Sequence, residues 1–85
     1  MRNTENQRKH AVSFEQAQQA FKDPNRLIIR DTSHSSDEER WFCVGDIETG
    51  IVTVRFTMRG TGIRIFGAGY WRKMRRLYYQ RKGET

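Results

Sequence analysis

The chain has 85 residues, 31% of them charged and 35% hydrophobic, with a formal net charge of +6, which predicts one small domain with a thin core over residues 1–85. A lone cysteine excludes an intrachain disulfide. No apolar run approaches the ~20 residues of a membrane span, and the N-terminal residues show no apolar region of the kind found in signal peptides. Two distant histidines give no metal-ligand spacing. We therefore expect a cytoplasmic domain without metal or cofactor.

The first predicted helix is marked at both of its ends. Ser13 and Gln16 fit a capping box, in which the hydroxyl accepts a backbone N–H and the amide side chain reciprocates. Asp23-Pro24-Asn25 ends the helix, so it is predicted over residues 14–22. Its predicted apolar face consists of Phe14, Ala17 and Phe21. Upstream, the polar segment 3–10 is also compatible with a helix.

From Arg26 the apolar residues alternate, which predicts strands. The four predicted strands are 27–30, 40–44, 51–58 and 63–66. Glycine-bearing loops at 46–50 and 59–62 join the last three as hairpins, so an antiparallel meander is predicted. Cys43 lies in an apolar strand and is interpreted as a small core residue.

The alternation also predicts which residues face each other across the strands. Across the second loop the predicted pairs are Met58 with Ile63, Thr57 with Arg64, and Phe56 with Ile65. Across the first loop they are Gly45 with Ile51, Val44 with Val52, and Phe42 with Val54. This register puts Trp41 opposite Arg55 on the outer face, near Arg64. A ring beside two arginines suits a base and its phosphate, although Trp41 could instead cover the sheet or pack under the N-terminal segment.

Positive charge is concentrated toward the C-terminal end. Residues 51–85 contain nine Lys or Arg and one acid, whereas residues 1–50 contain seven and nine. A C-terminal helix is predicted whose apolar stripe comprises Tyr70, Trp71, Met74, Leu77 and Tyr78. Clustered cations with aromatic residues are typical of a nucleic-acid surface, the alternative being a solvated helix face. No helix-turn-helix pattern appears, which disfavours a plain DNA-binding module.

The segment Gly67-Ala68-Gly69 lies between the last predicted strand and this helix. A glycine-rich lead into a helix N-terminus can hold a phosphate. The same residues are also suited to a simple strand-to-helix turn.

Several segments together resemble the BrnT toxins of bacterial type II toxin–antitoxin systems. Residues 6–17 and 21–24 are similar to the family's opening, "KHG-V-SFEEA … F-DP". Residues 31–41 with Gly45 resemble "D…HS…EERW…G", and residues 57–60 with 63–65 resemble "T-RG…IRI". The resemblance extends from Asn6 to Tyr78. It implies a small RelE-like α+β domain with one or more N-terminal helices, a four-stranded antiparallel sheet and a basic C-terminal helix.

The function implied by the resemblance is a metal-independent ribonuclease toxin that inhibits translation. Its implied partners are RNA, a BrnA-like antitoxin, and operator DNA bound through the antitoxin complex, with no membrane. Three positions depart from the family's "ISAR-A…E" pattern, namely Gly67 for Ser, Gly69 for Arg and Arg75 for Glu. These departures favour an alternative, a catalytically reduced protein that keeps the toxin fold as a nucleic-acid-binding or antitoxin-binding regulator. The family's "FEWD"-like segment is absent before the first helix, so an incomplete sheet edge or first helix is expected.

Metal-free RNA cleavage requires an activated 2′-hydroxyl, donors to the phosphate and an acid for the leaving 5′-oxygen. The candidate catalytic residues are His34 and His10 for proton transfer and Arg64 for the phosphate. The candidate RNA-binding residues are Lys9, Arg40, Trp41, Arg55, Arg72, Lys73, Arg75, Arg76 and Tyr79. Alternatively, His34 makes local turn hydrogen bonds, His10 packs or caps beside the helix, and Arg40 pairs with Glu38 or Glu39.

Overall fold

The structure, a computed structural model, describes residues 12–33 and 38–83. The elements in chain order are helix α1 (Phe14–Ala20), strands β1 (Leu27–Arg30), β2 (Trp41–Ile47), β3 (Gly50–Arg59) and β4 (Gly62–Gly69), and helix α2 (Arg72–Gly83). The strands form one antiparallel sheet in the order β1-β2-β3-β4. The predicted α+β class, with a four-stranded meander and a basic C-terminal helix, is confirmed. The predicted helix-compatible segment 3–10 lies outside the described residues.

Helix α1 begins with the predicted capping box. The backbone N–H of Gln16 donates to Ser13 Oγ at 3.0 Å, and the N–H of Ser13 donates to Gln16 Oε1 at 2.9 Å. The predicted apolar face is wrong at Phe14, which is 60% exposed, whereas Ala17 and Ala20 are buried. Small residues face the sheet because the helix lies very close to it.

Gly45 of β2 is the point of that close approach. A Cβ atom at this position would lie 2.5 Å from the carbonyl oxygen of Ala20, well inside van der Waals contact. The absence of a side chain on β2 therefore lets the end of α1 rest on the strand backbone.

The sheet is covered on both faces, one by each helix. On the α1 face, Ala17 and Ala20 pack in a cluster with Cys43, Ile47, Val52, Val54 and Phe56. On the α2 face, Met74 and Tyr78 pack with Leu27, Ile29, Val44 and Ile51. Cys43 is fully buried, so its predicted role as a core residue is confirmed. The same burial raises the pKa of its thiol to about 12.

The predicted register is right for one hairpin and wrong for the other. The pairs of Met58 with Ile63, Thr57 with Arg64 and Phe56 with Ile65 are all observed. In the first hairpin the turn is only Glu48-Thr49, because Ile47 pairs with Gly50, which has a φ of 137°. The observed pairs are therefore shifted by one residue and include Gly45 with Val52, Val44 with Thr53, Phe42 with Arg55, and Trp41 with Phe56.

This shift overturns the predicted position of Trp41. Residues paired across an antiparallel sheet share a face, so Trp41 lies with Phe56 on the α1 face rather than beside Arg55. It packs against the cluster there, as the alternative interpretation had it. The predicted register of this hairpin failed because residues 51–54 are all buried. A strand that is covered on both faces shows no alternation of apolar and polar residues that could fix its register.

Strand β4 is longer than predicted and contains a bulge. Gly67, Ala68 and Gly69 pair with Arg55, Val54 and Thr53, after a register shift that leaves Phe66 as the extra residue. The prediction that these glycines lead directly into a helix is therefore wrong. Helix α2 begins later, at Arg72, so Tyr70 and Trp71 precede it.

Helix α2 is fastened to the rest of the fold by one buried residue. Tyr78 is 1% exposed, and its hydroxyl donates to the carboxylate of Asp23, which also accepts the backbone N–H groups of Asn25 and Asp46. Burial acts to raise the pKa of Asp23, but these hydrogen bonds outweigh it and hold the pKa below its usual value. Neither helix of the described part is long and apolar enough to cross a membrane.

Candidate nucleic-acid interface

Helix α2 leaves part of its sheet face open, and three arginines lie there. Arg55 pairs with Phe42 on one side and Gly67 on the other, and Arg64 pairs with Thr57. Both arginines are exposed. Arg40, which directly precedes β2, contacts the same region through Phe66. We call Arg40, Arg55, Arg64 and Phe66 together the arginine face.

Phe66 contacts two of the three guanidinium groups. The guanidinium carbon of Arg40 lies 4.4 Å from the centre of the Phe66 ring, and that of Arg64 lies 5.6 Å from it. Such cation–π contacts orient a guanidinium group without using up its N–H donors. The bulge that adds Phe66 to β4 therefore arranges two cations around one ring.

Arg40 is also held by an acid of its own segment, which was the alternative left open by the sequence. Its Nη2 lies 3.9 Å from Glu38 Oε2, and Arg59 Nη2 lies 3.6 Å from Glu38 Oε1. Long contacts of this kind between partly exposed side chains contribute little to stability. Arg40 can therefore exchange Glu38 for a phosphate at small cost.

The guanidinium group of Arg55 lies over Gly67, which has no side chain. A Cβ atom at Gly67 would lie 3.3 Å from Arg55 Nη2, so a larger residue there would shift the guanidinium group by a few tenths of an ångström. Within residues 12–33 and 38–83, neither Arg55 nor Arg64 belongs to an ion pair. Both guanidinium groups can therefore present a full set of donors to an anion.

Helix α2 adds further positive charge beside this face. Its predicted RNA-binding side chains are all exposed, and they are Arg72, Lys73, Arg75, Arg76 and Tyr79. Tyr79 is 51% exposed, and the guanidinium carbon of Arg75 lies 5.9 Å from its ring centre. The predicted stripe is buried at Tyr78 and partly buried at Met74 and Leu77, so the helix separates a packed side from a cationic one.

Of the remaining predicted residues that the structure describes, Trp41 does not join this group. Trp41 lies on the opposite face of the sheet, as described above. Lys9, His10 and His34 lie outside the described residues, and their roles remain predictions.

Three aromatic residues at this interface were not among the predicted site residues. Phe66 was missed because a bulge leaves no mark in a strand pattern, and Phe42 because the register was shifted. Trp71 was assigned to the buried stripe, yet it is 39% exposed and makes an edge-to-face contact with Phe42 at 5.5 Å. The signal for Trp71 was its position two residues after Gly69, which leaves room for a large ring.

A comparison with protein families bears on what this interface does. Residues 1–75 match the family described as "Ribonuclease toxin, BrnT, of type II toxin-antitoxin system". Searches of curated proteins and of solved structures gave no match. The matched range includes the whole sheet and the first residues of α2, so it contains the arginine face.

Proposed function

The chain belongs to the BrnT family of ribonuclease toxins of type II toxin–antitoxin systems, and from this premise we propose that it is a metal-independent endoribonuclease that inhibits translation. Residues 1–85 act as one domain in the bacterial cytoplasm. A BrnA-like antitoxin neutralises it, and the complex binds operator DNA. The observation that carries the proposal is the pair of guanidinium groups around Phe66, beside the exposed Arg55.

The chemistry requires cations where negative charge develops on the scissile phosphate. When a 2′-hydroxyl attacks the neighbouring phosphorus, charge accumulates on the non-bridging oxygens. Arg64, with Arg40 or Arg55, donates to these oxygens, and a guanidinium fork matches their geometry. Because Arg55 and Arg64 lie on strands and Arg40 directly precedes β2, the sheet positions their backbones before RNA binds.

Proton transfer is assigned to the two histidines. One must accept the proton of the 2′-hydroxyl, and the other must donate a proton to the leaving 5′-oxygen, which an imidazole can do near neutral pH. The sequence position of His34 supports a role in proton transfer. It lies between β1 and β2 in the segment whose ends meet beside Arg40, where the N–H of Asp31 donates to the carbonyl of Arg40 at 2.8 Å. Lys9 and the cations of α2 bind the flanking RNA.

The first test is growth. Inducible expression of the chain in a bacterium should arrest growth, and Arg64→Ala or His34→Ala should relieve the arrest. Arg30→Ala is a matched control, because Arg30 pairs with Trp41 and therefore lies on the α1 face. Within the described residues, its one ion pair is with the exposed Glu39, at 3.5 Å. A harmless wild-type protein would overturn the toxin proposal and favour the regulator without catalytic activity.

The second test is cleavage by purified protein. Wild-type protein should cut single-stranded RNA in the presence of EDTA, and Arg64→Ala should lower the rate by about 10²-fold, the usual cost of losing one donor to a developing oxyanion. Arg64→Lys should recover part of the rate, because it keeps the charge without the fork. Cleavage abolished by EDTA would contradict metal independence, and an unchanged rate in Arg64→Ala would remove Arg64 from the site.

Coexpression with a BrnA-like protein should restore growth.

A further inference from the structure

Trp71 is an exposed aromatic residue that contacts Phe42, the strand partner of Arg55, and the mechanism above does not use it. The residue lies between β4 and α2 and is 39% exposed. Indole rings are usually covered in a small protein, so an indole left open beside cations is suited to a partner with a flat, aromatic surface.

The Trp71 ring packs against a second aromatic ring, and its backbone is hydrogen-bonded to α2. It contacts Phe42 edge-to-face, with 5.5 Å between ring centres and 71° between planes. The carbonyl of Trp71 accepts the N–H of Arg75 at 2.9 Å in the first turn of α2. An aromatic ring held in this way loses little conformational freedom when a ligand stacks on it.

Gly69 provides the space that the ring occupies. A Cβ atom at Gly69 would lie 3.3 Å from Trp71 Nε1 and 3.7 Å from its Cδ1. The indole therefore lies against the backbone of β4, and a larger residue at this position would push the ring away by a few tenths of an ångström. Gly69 belongs to the end of the strand that also carries Phe66 and Gly67.

Arg55 adds a cation next to this ring. Phe42, which contacts Trp71, is the direct partner of Arg55 on the neighbouring strand. Arg55 is exposed and forms no ion pair within the described part of the chain. An open ring and an available guanidinium group are the two contacts by which proteins hold an unpaired nucleotide, one for the base and one for its phosphate.

We propose that Trp71, supported by Phe42 and Gly69, is a nucleobase-binding subsite on which one unpaired base of the RNA stacks while Arg55 binds the adjoining phosphate. The inference rests on the proposed function, since it assumes that RNA lies on the arginine face. A larger ring stacks over a larger area, so the subsite favours a purine over a pyrimidine at one position of the substrate. Trp71 is thus a specificity-determining residue, whereas Arg64 acts on the reacting phosphate.

The test uses short 2′-O-methyl RNA oligonucleotides, which lack the attacking hydroxyl, with 2-aminopurine placed at successive positions. Stacking quenches the fluorescence of this base, so wild-type protein should quench it at one position. Trp71→Leu should remove that quenching and weaken binding about tenfold, the usual loss for one stacked base. Trp71→Phe should keep most of both. Phe14→Leu is the matched control, because Phe14 is an exposed aromatic residue on α1.

The outcomes separate this proposal from the one on which it rests. If wild-type protein fails to bind the oligonucleotides, the proposed RNA function itself is wrong. If wild-type protein binds and Arg64→Ala weakens binding, but no position is quenched or Trp71→Leu binds like wild type, the subsite alone is wrong. Should Trp71→Leu fail to fold in a thermal unfolding control, the position-specific quenching by wild type and its retention in Trp71→Phe decide the matter.

Discussion

Gly45 shows how a single residue sets the distance between a helix and the sheet. Its place opposite the end of α1 leaves no room for a side chain, since a Cβ atom would come within 2.5 Å of the Ala20 carbonyl oxygen and 2.8 Å of the Ala20 Cα. Both are backbone atoms, which cannot move aside as the end of a flexible side chain can. The clash must therefore be relieved by shifting the whole helix.

We expect Gly45→Ala to lower the free energy of unfolding by about 2 to 3 kcal/mol, the range typical of overpacked cores. Gly62→Ala is the matched control, because its Cβ atom would meet only the Arg59 carbonyl oxygen at an ordinary 3.7 Å. Urea denaturation followed by circular dichroism measures both variants. Equal stability of the two variants would show that α1 adjusts without cost.

Residue-level predictions from the sequence succeeded where the interaction is local. The capping box depends on two residues three positions apart, and both of its hydrogen bonds form. The position of Trp41 depended instead on the length of a distant turn, which propensity does not fix. The closeness of Arg40 and Arg64 to one ring arises from a bulge and two different strands, so the sequence indicated the arginines but not their grouping.

Helix α2 depends on the contact between Tyr78 and Asp23, which joins it to the segment that follows α1. Burial raises the pKa of Tyr78, and the hydrogen bond to the Asp23 carboxylate raises it further, while the pKa of Asp23 is lowered. The folded state therefore favours a neutral phenol and an ionised carboxylate. This pairing stabilises the fold only at pH values where both forms exist.

We expect Tyr78→Phe to lower the free energy of unfolding at pH 7 by about 1 to 2 kcal/mol, because a hydrogen bond to a charged group is lost. In wild type, the Asp23 contribution is complete above its unfolded pKa of about 3.9 and is lost as the pH falls through the lower folded value. The Tyr78 contribution is complete below about pH 10 and is lost as the pH rises through the higher folded value. Tyr78→Phe should therefore make the free energy of unfolding less dependent on pH in both the acidic and the alkaline range.

Denaturation at about pH 2, 7 and 11 measures this effect, with Tyr79→Phe as the control because Tyr79 is 51% exposed. The expectation would be wrong if the two variants had the same profile.

At the level of elements, the order and class of all described helices and strands followed from the sequence, because periodicity and glycine-bearing turns are local signals. The two errors at this scale have different origins. Strand β3 is buried on both faces, so its apolar run carried no information on register. The glycines at 67 and 69 were taken for a turn, whereas they pair in β4 and make room for Arg55 and Trp71. Contacts of this kind form only in the folded chain.

At the scale of the whole molecule, the two faces of the sheet differ in charge. The arginine face and the exposed side of α2 belong to residues 40–83, which are predominantly basic. The α1 face is mainly apolar where it is open, with Ile28, Met58 and Ile63 about half exposed. RNA should therefore approach from one side only, and its binding should depend strongly on salt.

We expect the logarithm of the RNA association constant to fall linearly with the logarithm of salt concentration, by about 0.7 for each phosphate neutralised on a single strand. Arg72→Gln and Arg76→Gln should each reduce that slope by about 0.7 and weaken all RNA sequences equally, because a phosphate contact carries no base information. Lys22→Gln is the matched control, since Lys22 lines a groove with Phe14 and Ile65 on the α1 face. Fluorescence anisotropy titrations from low to high salt measure the slopes. A flat salt response, or a reduction in slope with Lys22→Gln as large as that with Arg72→Gln, would contradict one-sided binding.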